Sequence, residues 1–74
     1  MKILLEKVVC YEGYRRNERP LYFYLKGKKI KIKNVIKSWA EPEKNWFYLV
    51  ETESKRYLLN FDEKNDNWFL IENP

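Results

Sequence analysis

Leu21-Tyr22-Phe23-Tyr24-Leu25-Lys26-Gly27-Lys28-Lys29-Ile30-Lys31-Ile32-Lys33 is the stretch that decides the fold. Its residues repeat with period two on both sides of one glycine. Leu21, Phe23 and Leu25 fall on one face and Tyr22 and Tyr24 on the other; Ile30 and Ile32 then alternate with Lys29, Lys31 and Lys33. Side chains two apart share a face only in an extended chain. Gly27 takes positive φ without a steric penalty, so Lys26-Gly27-Lys28 reads as a tight turn and the stretch as a β-hairpin.

The same grammar continues outward. Downstream, the phase breaks where Val35 and Ile36 stand together before Trp39, and a bulge near Lys33-Asn34 would return Val35 to the inner face. Such a break is expected where a small sheet turns a corner. Glu41 to Asn45 is a loop, and Trp46 to Thr52 is a strand with Phe47 and Leu49 on one face and Trp46, Tyr48 and Val50 on the other. Glu53-Ser54-Lys55 turns the chain into a strand from Arg56 to Phe61. Asp62 to Asn67 is rich in residues that bond their own backbone, and Trp68 to Ile71 is the last strand.

Upstream, Pro20 opens the hairpin's first strand and residues 13–20 form a loop. The run from Lys2 to Tyr11 has apolar residues compatible with helical spacing as well as strand. The β-branched Val8-Val9 and the lack of an N-cap favour one strand. The expectation is an all-β fold of six strands, sequential neighbours in an antiparallel meander, curled into a barrel or a strongly twisted sheet.

Seventy-four residues make one domain, 1–74, and a domain this short buries a modest fraction of its surface. It compensates with rings: 18% of the chain is aromatic, and each ring can bury roughly 150–250 Å². Cys10 is the only cysteine and there is no histidine, which excludes an internal disulfide and a Cys/His zinc site. Cys10 sits beside Val8 and Val9 as a small core residue, with no histidine to activate it. The first residues hold too short an apolar run for a signal peptide or membrane span, so the expected location is cytoplasmic, with no membrane partner.

Charge is laid out unevenly. Residues 1–37 carry eleven Lys/Arg against three Glu, and residues 38–74 carry four Lys/Arg against eight Asp/Glu, for a total of +4. This asymmetry marks either a surface for an anionic partner or a sheet in which basic and acidic strands pair. Lys26, Lys28, Lys29, Lys31 and Lys33 line the hairpin with Tyr22 and Tyr24, and Arg15, Arg16 and Arg19 stand in the preceding loop. Lysines that track a phosphate backbone, beside rings that stack on bases, are how single-stranded nucleic acid is held. The plainer account makes the lysines guards of an edge strand and the tyrosines a second packed face. The arginines suit phosphate or carboxylate contacts, or pair with acids of the same chain. Asp62, Glu63 and Asp66 lack the central glycine and closing glutamate of an EF-hand and read as a turn.

No nucleophile–base pair, metal-ligand set or cofactor motif is legible. The expected function is a non-enzymatic binding module for RNA or single-stranded DNA through those ten residues. Its rival is a protein-interaction domain that uses exposed aromatics or a sheet edge, with a partner protein or as a homodimer.

The chain also resembles a family of short bacterial proteins without an established function. The residues that carry the likeness are Cys10-Tyr11-Glu12-Gly13-Tyr14, Glu18-Arg19-Pro20, Val35-Ile36 with Trp39, Trp46-Phe47, Tyr57-Leu58-Leu59, and Asp62-Glu63 with Asp66 and Trp68. The resemblance spans nearly the whole chain and implies a stand-alone domain; it brings no catalytic or binding residues.

Overall fold

A computed structural model of the chain describes residues 2–11 and 19–72. They form eight strands: β1 (Lys2–Leu4), β2 (Lys7–Tyr11), β3 (Arg19–Leu25), β4 (Lys28–Lys31), β5 (Asn34–Glu41), β6 (Asn45–Glu51), β7 (Arg56–Asp62) and β8 (Asn67–Ile71). The all-β, antiparallel expectation holds. The count of six and the closed barrel do not. The strands divide into a five-stranded sheet, β1-β8-β7-β6-β5, and a three-stranded sheet, β2-β3-β4.

Both extra strands come from runs that the sequence shows as continuous. Lys2 to Tyr11 breaks at Leu5 and Glu6, so that β1 pairs with β8 and β2 with β3. Leu5 still donates its N–H to the Trp68 carbonyl at 2.9 Å, then turns into the core, where it is buried. The corner expected near Asn34 is present, but as a change of sheet. Ile32 donates its N–H to Leu21 of β3, and Lys33, the next residue, donates to Glu51 of β6. Two successive amides thus hand the chain from one sheet to the other, and β4 and β5 never pair. The bulge falls slightly later than expected. Val35 pairs with Val50 and Lys37 with Leu49, so Ile36 is the extra residue and lies exposed.

A second bulge lies in β3. Val9 pairs with Tyr22 and Cys10 with Pro20, leaving Leu21 unmatched and exposed while Pro20 and Phe23, three apart, are both buried. Each bulge shifts the two-residue phase by one, which is why Leu21 leaves the face it was expected to share with Phe23.

The core lies between the sheets. Tyr48, Val50, Leu59, Phe61, Trp68 and Leu70 come from the larger sheet, Phe23 from the smaller, and Leu5 from the link between them. Val8, Leu25, Ile30 and Ile32 pack against this set, as does the half-buried Cys10. Rings supply the filling that the length of the chain limits. Trp68 stacks on Phe61 at 4.8 Å and on Tyr48 at 5.5 Å, and Phe23 meets Tyr57 edge-on at 5.4 Å across the layers.

The turns follow their chemistry. Lys26 and Gly27, at φ 51° and 78°, make the two-residue link between Leu25 and Lys28. Thr52, expected to end a strand, instead organises the β6–β7 turn. Its hydroxyl donates to the Lys55 carbonyl at 2.7 Å and accepts the N–H groups of Ser54 and Lys55. Asp62 accepts the Asn65 side-chain amide at 2.8 Å, which shapes the last turn. Among the described residues, no helix is long and apolar enough to cross a membrane.

Candidate nucleic-acid interface

The outer face of the three-stranded sheet is built from residues left over when β2, β3 and β4 commit Val8, Phe23 and Ile30 to the core. Register sets them in rows. Lys7, Tyr24 and Lys29 lie side by side across the strands, and so do Val9, Tyr22 and Lys31. Tyr11 and Arg19 extend the face at its far end. No Asp or Glu occupies these described positions.

The cations and rings touch. Lys29 Nζ stands 4.2 Å from the Tyr22 centroid, Lys7 Nζ 5.8 Å from Tyr24, and the Arg19 guanidinium 5.9 Å from Tyr11. Tyr22 and Tyr24 meet edge to face at 6.1 Å. Each contact has cation–π geometry, within about 6 Å of the centroid. Tyr22 and Tyr24 are half-buried.

The structure therefore brings together Arg19, Tyr22, Tyr24, Lys29 and Lys31 of the residues named from sequence. Lys28 is exposed at the start of β4, opposite Leu25. Lys26 belongs to the turn and borders a different groove, of about 770 Å³, with Lys55 and Arg56. Lys33 sits at the sheet-to-sheet corner, beside a hollow of about 250 Å³ with Arg19, Leu21 and Asn34. Arg15 and Arg16 lie outside the described residues. Lys7 and Tyr11 were missed, although the alternation of Lys7, Val9 and Tyr11 carries the signal. A single strand from Lys2 to Tyr11 hides that signal, because it puts Lys7 on one face with Ile3 and Leu5.

No row of either sheet sets a Lys or Arg of residues 1–37 opposite an Asp or Glu of residues 38–74, among the described registers. The basic strands pair with one another. β4 is also an edge strand, so its lysines discourage edge-to-edge pairing as well.

The opposite side of the molecule differs. On the outer face of the five-stranded sheet, one row runs Trp39, Phe47, Asn60, Phe69, Leu4 and the next Lys37, Leu49, Leu58, Ile71, Lys2. Trp39 and Phe47 stack at 5.4 Å, with planes 9° apart. Asn60, between the two phenylalanines, is fully buried and donates to the Trp46 carbonyl at 3.2 Å. A polar row, Glu41, Asn45, Asp62 and Asn67, borders one side, and Asn34, Glu51 and Arg56 border the other. Two-layer proteins with a solvated outer face normally carry polar residues there; the middle of this face is largely apolar, with Lys37 Nζ 5.5 Å from the Trp39 centroid at one edge and Lys2 Nζ 4.4 Å from the Phe69 centroid at the other.

Among the described residues, no group of three Cys, Asp or Glu side chains is placed to hold a metal ion. Comparison of the chain with family models, curated proteins and solved structures finds no match.

Proposed function

We propose that this domain is a non-enzymatic cytoplasmic module that binds single-stranded RNA or DNA on the outer face of its three-stranded sheet. The observation that supports this most is the pair of rows Lys7–Tyr24–Lys29 and Val9–Tyr22–Lys31, in which rings and cations alternate at contact distance. Tyr22, Tyr24 and Tyr11 offer π-faces to bases, and Lys7, Arg19, Lys29 and Lys31 offer charge to phosphates. Stacking of this kind tolerates any base, so the expected binding is weakly dependent on sequence. The likeness to short bacterial proteins, on the motifs quoted above, is part of the same proposal.

The test is titration of fluorescent single-stranded oligonucleotides at two salt concentrations. Four phosphate contacts give a log–log salt slope near −2.8, from about −0.7 per contact, so affinity falls about 50-fold between roughly 50 and 200 mM salt. Absence of binding at the lower salt removes the proposal.

A second reading, a protein-interaction module, is supported by the apolar outer face of the five-stranded sheet. The two readings use opposite sides of the molecule.

A further inference from the structure

The five-stranded sheet presents Trp39, Phe47, Leu49, Leu58, Phe69 and Ile71 outward, with Leu4 61% exposed at its edge. An apolar patch of this extent marks an interaction surface. We infer that its occupant is a second copy of this chain, packed face to face about a two-fold axis that crosses the strands at the level of Leu59. The inference rests on the interaction-module reading and adds the partner and the geometry.

The rows select that axis. A two-fold in the plane of the interface and perpendicular to the strands reverses the order of rows and keeps each strand over its own counterpart. The Trp39 row of one copy then meets the Lys37 row of the other, so that Phe47 faces Leu49, the buried Asn60 faces Leu58, Phe69 faces Ile71, Leu4 faces Lys2, and the Trp39 ring, which already carries its own Lys37 at 5.5 Å, faces a second Lys37. The bordering rows meet as well. Glu41 lies over Asn34, Asn45 over Glu51, and Asp62 over Arg56 on the central strand β7. Every acid on the face meets an amide or a guanidinium. A two-fold along the strands would instead set Asp62 against Asp62 and Lys37 against Lys2, which like-charge repulsion disfavours. The face is thus self-complementary in one orientation, as an isologous dimer requires.

The area is that of a weak dimer. Five strands about 4.8 Å apart, of three to eight residues and six on average, cover roughly 24 by 20 Å, close to 500 Å² from each copy. Their sum, about 1,000 Å², lies below the size of stable specific interfaces and within that of transient ones, so a weak affinity, micromolar or above, is expected. Packed sheets sit about 30° from alignment, which moves the corner pairs most and the β7 pair least. Asp62 and Arg56 are therefore the charges to test. In such a dimer the two basic, ring-bearing faces point away from each other, so one particle offers two nucleic-acid faces.

Mass against concentration, by light scattering or equilibrium sedimentation from about 1 to 500 µM, tests the inference. The unaltered protein is expected to shift from monomer to dimer in the micromolar range. Leu58→Lys, at the centre of the face, should leave a monomer. Because that change could also disturb folding, Arg56→Glu, at an exposed position, serves beside it; it should weaken dimerisation at least tenfold, and Arg56→Glu with Asp62→Lys should recover most of the loss. A monomer at 500 µM overturns the dimer, as does an Arg56→Glu variant of unchanged affinity. Where the protein is monomeric, binding of an apolar dye that is lost in a folded Leu58→Lys variant keeps the interaction face and rejects only the second copy. Absence of dye binding rejects both.

Discussion

Lys29 Nζ lies 4.2 Å from the centroid of the Tyr22 ring, although its direct cross-strand partner is Tyr24. The lysine crosses the β3–β4 ladder diagonally, and the cation rests against a ring that its own row does not contain. Diagonal neighbours are within reach of long side chains. The contact leaves the top of the face a continuous surface of ring and charge.

Tyr22→Ala should weaken single-strand binding by about 1–3 kcal/mol, between about five- and 150-fold, with little change in the salt slope. Lys29→Gln should do the converse, reducing the slope by about 0.7 through the loss of one phosphate contact. Fluorescence anisotropy at several salt concentrations separates the two. Equal effects of both changes on the slope would contradict the division of roles.

Gly27 has φ 78° and open space where a Cβ would stand. Gly27→Ala therefore meets no clash, only the left-handed backbone penalty of about 1 kcal/mol, seen as a Tm lower by about 4–8 °C. The β5–β6 turn shows the opposite case. Lys44 adopts φ 58° with a full side chain. Lys44→Gly relieves that strain but gains freedom when unfolded, so the expected net change is a Tm higher by about 2–4 °C. Thermal unfolding followed by circular dichroism reads both.

Thr52→Val keeps the shape of a buried side chain and removes the hydroxyl that serves Ser54 and Lys55. Leaving those backbone groups short of a partner should cost about 1–3 kcal/mol. Thr52→Ser, which keeps the hydroxyl, should retain most of the stability in a urea titration; equal losses in the two variants would argue against the hydrogen bonds as the cause.

The Asn65 side-chain amide holds the Asp62 carboxyl below the usual aspartate range; desolvation works against it, and backbone N–H groups of Asn65 and Lys64 and the charge of Lys2 add to it. A carboxyl more acidic in the folded state stabilises that state above its unfolded pKa of about 3.9, and the contribution is lost as pH falls through the depressed value. The domain should lose stability below about pH 4, and Asp62→Asn should flatten that part of the profile. An unchanged acid limb in the variant would assign the loss to other carboxyls.

Much of this was legible in the residues. Period-two alternation and turn chemistry are local properties, so the hairpin at Gly27, the faces of β6 and of β3 from Tyr22 to Leu25, and the shared side of Tyr22, Tyr24, Lys29 and Lys31 could be read directly. The break at Leu5-Glu6 could not, because no glycine or proline marks it; the phase change at Val35-Ile36 announced a corner near Asn34, but not that the chain leaves one sheet for the other there. Only Leu5, once turned inward, and the paired amides of Ile32 and Lys33 show that the chain changes sheets there. Lys7 and Tyr11 went unassigned for the same reason: their side depends on where β2 begins.

Alternation thus determined that the chain is all-β, which residues share a strand face, and that cations and tyrosines lie together. Which strands pair was a tertiary matter. β1 pairs with β8, nearly the whole chain away, because Ile3 and Leu5 find the apolar ridge of Trp68 and Leu70 there. No local pattern encodes a contact at that separation; its free energy comes from burial against residues distant in sequence. The division into two sheets leaves Lys7, Lys28, Lys29 and Lys31 on the smaller one, while Lys2 and Lys37 join the acidic residues of the larger.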